Sequence, residues 1–137
     1  MDSTLASSLA GARPFALYFG TSLALLAVFV AAYATVTPYR EIPLIRQGNK
    51  AAALSFAGAV IGFVIPVSKA IAQSSNLIDM LVWAGVAFVA QLLAYLAAAL
   101  LVPHFRATIT DDHLASGIVL AALSIGIGCL NAACMTV

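Results

Sequence analysis

Four stretches of this chain run far enough without a charged side chain to cross a hydrocarbon layer. The first extends from Pro14 to Tyr39, the third from Met80 to Pro103 and the fourth from Leu114 to Val137. The second lies between Asn49 and Ala72 and is free of charge from Ala51 to Ser68. A membrane helix needs roughly 20 mostly apolar residues, so each stretch reads as a span. The links between them are short and leave no room for a separate soluble domain. Composition agrees. The chain of 137 residues is 64% hydrophobic and 8% charged, against about 25% charged in soluble domains. Its mean hydropathy is +1.09. Six Lys and Arg with five Asp and Glu cannot coat a water-soluble fold. That excludes an ordinary cytosolic enzyme and a disordered chain. A net charge of +1 also excludes a nucleic-acid binder. The expected fold is all-α: a polytopic membrane protein with four transmembrane helices.

Local signals mark the span ends. Pro14 suits the first turn of a helix, and Pro38 and Pro103 stop the first and third spans. Asn49 suits the N-cap of the second, and Thr110 or Asp111 that of the fourth. The first span is not read as a cleaved leader. Ala32-Tyr33-Ala34 is a small-residue site, but Asp2 precedes Arg13 with no Lys between them. The apolar run also exceeds the roughly 7–15 residues of a leader core.

Loop charges set orientation. The first and third links hold Arg40, Arg46, Lys50 and Arg106; the remaining ends and link hold Arg13 and Lys69. This places the first and third links in the cytoplasm and both termini outside. Phe15, Tyr18, Tyr33, Tyr39, Trp83 and Phe105 suit interfacial belts.

The second half echoes the first. At an offset of 64, Ala51 meets Ala115, Leu54 meets Ile118, Ala57 meets Ala121, Ile61 meets Ile125 and Gly62 meets Gly126. At an offset of 65, Gly20 meets Gly85, Tyr18 meets Trp83 and Pro38 meets Pro103. Two tandem helical-hairpin repeats, 14–72 and 77–137, follow, both entering from the same side. Gly58 and Gly62 form a GxxxG on the second span, and Ala122 and Gly126 a matching small pair on the fourth. Small residues let helix backbones approach closely in lipid. The second and fourth spans are therefore expected to make the tightest contact; the alternative is that this stripe serves another protomer.

Reactive chemistry is sparse. No Asp or Glu falls inside a span, whereas proton-coupled carriers usually embed a carboxylate. Cys129 and Cys134 read as small buried hydrophobes, and Asp111-Asp112-His113 reads as capping rather than a metal site. No catalytic, cofactor-binding or metal-binding residue is assigned. Lys69 reads as snorkelling to the headgroups, and Gln91 and Asn131 as amides that tie helices together. In a conduit, these three would be the polar lining.

The run from Asn49-Lys50-Ala51-Ala52-Ala53-Leu54 through Gly58 and Gly62 to Pro66 resembles the pattern of the YjfL-like bacterial inner-membrane proteins, domain-of-unknown-function family three-fifty. Thr37-Pro38-Tyr39-Arg40-Glu41 and Asn131-Ala132-Ala133-Cys134-Met135-Thr136 are similar to it too. The resemblance implies four spans in two tandem domains and an inner-membrane location. It also implies an association with envelope-stress systems and with ATP-grasp enzymes. The family passes on no catalytic residue, and the second copy departs from the first where His113 and Ala122 replace Asn and Gly. Two functions follow as expectations. One is a non-enzymatic membrane component acting on lipid, on a second copy or on another membrane-stress protein, with the link from Tyr39 to Lys50 as docking surface. The other is a conduit for a small ion or solute.

Overall fold

The computed structural model describes residues 2–37 and 41–135. Pro38, Tyr39 and Arg40 lie outside them, and so do the expected stop at Pro38 and the link charge of Arg40. The described residues form six helices and no strand. They are α1 (Asp2–Val36), α2 (Glu41–Arg46), α3 (Lys50–Gln73), α4 (Leu77–Leu101), α5 (Phe105–Thr110) and α6 (Leu114–Cys134). Four of these, α1, α3, α4 and α6, are long and apolar enough to cross a membrane. In lipid a lone backbone N–H or C=O has no water to bond, so a spanning segment closes its hydrogen bonds within its own helix.

Chain chemistry sets most boundaries. The Asn49 side chain accepts from the Ala52 N–H at 2.8 Å and caps α3. Asn76 does the same for α4 through the Asp79 N–H, also at 2.8 Å. At the other end of α4, Val102 is extended, the conformation that the ring of Pro103 imposes on its predecessor. Two expected boundaries are corrected. Pro14 lies inside α1, which begins at Asp2. At about 1.5 Å per residue, α1 is some 20 Å longer than a hydrocarbon core of about 30 Å. The start of α6 is not capped by Thr110 or Asp111, because both belong to α5 and its closing turn; His113 holds the N-cap position and makes no side-chain cap bond.

The bundle is organised around α3 and α6, which run in the same direction and make its most extensive contact. Ala51 faces Gly117, Gly58 faces Ala121, and Gly62 faces Ser124 and Gly128. At each of these glycines a Cβ would drive into the backbone of the facing helix; on Gly117 it would fall 2.6 Å from the Ala51 carbonyl oxygen. Pro66 sharpens the contact. It lies buried within α3 and has no N–H to give the Gly62 carbonyl four residues earlier. That carbonyl oxygen is the atom that Gly128 faces. Ala122 and Gly126 are on the opposite side of α6. Both are exposed, and a Cβ on Gly126 would meet nothing within 4 Å. The close-packed stripe of α6 is thus Gly117, Ala121, Ser124 and Gly128.

Helix α4 packs against both α3 and α6, whereas α1 lies more lightly on α3 and α4. Its anchor is aromatic. Phe29 stacks on Phe63 with centroids 4.2 Å apart and meets Phe88 edge-on at 5.8 Å. Phe29 and Tyr33 are buried with Ala59, Val67 and Ala84. The rest of α1 is mostly exposed.

Extra volume in a tight contact typically costs about 1–3 kcal/mol, while surface changes stay within about 0.5 kcal/mol. Gly62→Leu and Gly128→Leu should lower the melting temperature of the purified protein by several degrees. Gly126→Leu should leave it unchanged. Thermal melts in detergent check this, and equal melting of all three variants contradicts the assigned face.

Candidate functional site

The polar groups concentrate at the end of the bundle where α2 and α5 sit. Each short helix closes in the same way. Gly48, with φ of 87°, donates to Ile45 O, and Asn49 N donates to Leu44 O at 2.9 Å. Asp112, with φ of 60°, donates to Ile109 O, and His113 N donates to Thr108 O at 2.8 Å. This is the paired-bond ending of a Schellman motif, which places one residue in the left-handed region. Glycine fills that place freely in the first case. In the second, aspartate bears the left-handed cost, about 1–2 kcal/mol for an ordinary side chain and less for Asp.

The Asp112 side chain has a use there. Its Oδ1 accepts the Ala51 N–H at 2.8 Å, one of the orphan donors in the first turn of α3. In return, the Asn49 amide donates to Ile109 O at 2.9 Å and to Thr110 O at 3.2 Å. Three bonds thus tie the start of α3 to the end of α5, and the Asn49 cap fixes that start itself. Ser116 of α6 joins the layer by donating to the Thr108 hydroxyl at 2.8 Å. Below it lies an apolar floor of Ala51, Ala52, Ala98, Phe105, Ile109 and Leu120. Leu44 and Ile45 pack against that floor, so of the three aliphatic side chains Ile42, Leu44 and Ile45 in the expected docking link, Ile42 alone is exposed. Arg46, Lys50 and Arg106 are exposed around the layer.

Glu41, the first residue of α2, is fully buried. Burial pushes its carboxyl up to about 8, and the neighbouring Thr37 hydroxyl offsets this in part. That hydroxyl already donates to Tyr33 O at 3.0 Å. Neither carboxyl oxygen has a partner of hydrogen-bond geometry among the described residues. Sequence reading missed this group, since a charge in a link is ordinarily solvated.

The three polar residues of the conduit expectation sit on three different helices. Gln91, buried in α4, donates to Ser124 O at 3.1 Å and so joins α4 to α6. Lys69 and Asn131 are half-buried in α3 and α6. None of the three lines either cleft beside α1. The larger cleft, about 460 Å³, lies between Pro14, Phe15, Tyr18 and Phe19 of α1 and Ile71 and Ser74 at the end of α3. The smaller, about 240 Å³, is walled by Leu25, Phe29, Phe63, Leu81 and Phe88 among others. Cys129 and Cys134 are exposed on α6 rather than buried. Among the described residues no three His, Cys, Asp or Glu side chains are grouped to hold a metal ion.

Known proteins resemble this chain over most of its length. Residues 4–135 match the family model described as Domain of Unknown Function (DUF350). The chain is 35% identical over 122 residues to the UPF0719 inner membrane protein YjfL of Escherichia coli K12, covering 89% of this chain and 92% of that protein. It is 28% identical over 120 residues to the UPF0719 transmembrane protein YshE of Bacillus subtilis 168, covering 86% of this chain and 90% of that one. No solved structure matches.

Loss of a cap bond costs about 0.5–2 kcal/mol. Asp112→Ala should destabilise by that cap energy and still carry the left-handed strain. Asp112→Gly loses the same bond but sheds the strain, so it should melt above Asp112→Ala. If the alanine variant melts as high as the glycine variant, the left-handed assignment fails.

Proposed function

The chain belongs to the DUF350 family, and from that membership and the geometry above we propose that it is a non-enzymatic inner-membrane component acting through contacts inside the bilayer. The observation that carries this reading is the light seating of α1. Only 6% of its most apolar window is buried, against 28–50% in the other three spans. Two apolar clefts open beside it as a result. On the far side, α6 presents Ala122, Gly126 and Cys129 outward, a face on which another backbone can approach closely. The partner in this proposal is a second copy of the chain or another membrane-stress protein, and the surrounding medium is lipid.

The reading includes two hairpin units, 14–72 and 77–137. The long–short–long helix order within each supports it, and so does the shared turn geometry at Gly48 and Asp112. It also includes an orientation with the α2–α5 end in the cytoplasm, supported by the exposed Arg46, Lys50 and Arg106 there. Both chain ends then lie on the periplasmic side.

Photoreactive side chains introduced at Phe19 and at Gly126 in native membranes should give a discrete protein adduct from at least one position. Lipid adducts alone from both positions count against the proposal. Vesicles containing the purified protein should pass simple ions and polyamines no faster than empty ones; clear flux would instead favour the conduit.

A further inference from the structure

We propose that the Glu41 carboxyl is a proton-binding site that latches the short-helix layer, holding its proton while α2 is docked and releasing it when α2 lifts away. The geometry is that of an acid rather than of an ion. Glu41 sits where α2 begins and is fully buried. Its polar and charged neighbours come from several parts of the chain. From the residue just after α1 comes the Thr37 hydroxyl, already bonded to a backbone carbonyl. From α4 comes Tyr95, which is within electrostatic range of both Glu41 and Arg106. From α5 comes Arg106 itself, exposed and in no ion pair with Glu41 among the described residues. The cations flanking this region, Arg46 on α2 and Lys50 on α3, are exposed. An ionised carboxylate without a partner in such a place is strongly disfavoured, and the group neutralises instead.

The element that could respond is α2. It has six residues, too few to persist as a helix without tertiary support. Its attachments are Leu44 and Ile45 on the apolar floor and the turn bonds into Asn49. Small peripheral elements of this kind open at far lower cost than a core helix.

The sign of the linkage is fixed by the direction of the shift. In the docked state the carboxyl titrates at about 8, and its ordinary value is 4.5. Below the lower value both states are protonated and docking has its full strength. Between the two values the released state ionises while the docked state does not, so docking weakens about tenfold per pH unit. Above the upper value both states are ionised and the weakening stops.

Infrared difference spectra of the full chain in lipid vesicles, taken between pH 6 and pH 9.5, test this directly. The expected result is a protonated-carboxyl C=O band at pH 6 that disappears at pH 9.5 and is missing from Glu41→Gln. Hydrogen exchange supplies the second measurement. Corrected for intrinsic rate, the amides of residues 42–48 should lose protection as pH rises in the original chain. They should stay protected at both pH values in Glu41→Gln and in the apolar variant Glu41→Leu. A carboxylate signal for Glu41 at pH 6 overturns the proposal. So does protection that is equally independent of pH in all three proteins.

Discussion

Where Gly62 meets Ser124 and Gly128, two helix backbones touch with no side chain between them. Lipid supplies no hydrophobic force to push helices together, so such a contact rests on dispersion and on small residues that permit it. Pro66 contributes by freeing the Gly62 carbonyl from its own helix, leaving that oxygen facing the α6 backbone. The third core helix depends on the same spot. A Cβ on Gly62 would fall 2.7 Å from Gln91 Nε2, so the missing side chain also leaves room for the amide that reaches Ser124 O. One glycine therefore serves both the α3–α6 contact and the amide that joins α4 to α6.

The spans were legible because the cost of burying charge acts at the level of composition. A charge-free run of sufficient length has few other readings, and it does not matter which way each side chain points. The Asn49 cap was legible for a similar reason, since the N-terminal donors of a helix need an acceptor wherever the helix sits. The packing face of α6 was not. Gly126 and Gly128 are two residues apart, about 200° around the helix, so both cannot face α3. The spacing rule chose Ala122 and Gly126. The alternative set of Gly117, Ala121, Ser124 and Gly128 has equally helical spacing, and only the position of α3 decides between them. The burial of Glu41 was hidden for another reason. It depends on how α2 docks against the bundle, a tertiary fact with no local signature.

The two halves of the chain share their helix order and turn geometry but not their packing. At the position equivalent to Gln91, 65 residues earlier, the first half carries Leu26, which has no amide to send across the bundle. Facing outward at the position equivalent to Gly62 is Gly126. Within the proposed two-unit reading, α4 is wedged against both α3 and α6, and α1 has no comparable seat on α6. The asymmetry is therefore written in the sequence at particular residues. It leaves α1 held by one aromatic stack at Phe29 while the corresponding helix is held by an amide and a backbone groove.

That difference gives the bundle a rigid end and a loose end. At the α2–α5 end, side-chain bonds join the start of α3 to the end of α5, and each satisfies a backbone group that would otherwise be stranded at a helix terminus. At the opposite end, α1 and α3 are parted by the larger cleft, whose walls are mostly apolar. Phe29 lies between the two ends, so movement of α1 about that stack would swing its Pro14 end more freely than its Thr37 end. Thr37 adjoins Glu41. The proposed proton site therefore lies at the better-held end of the bundle, beside the residue that follows α1.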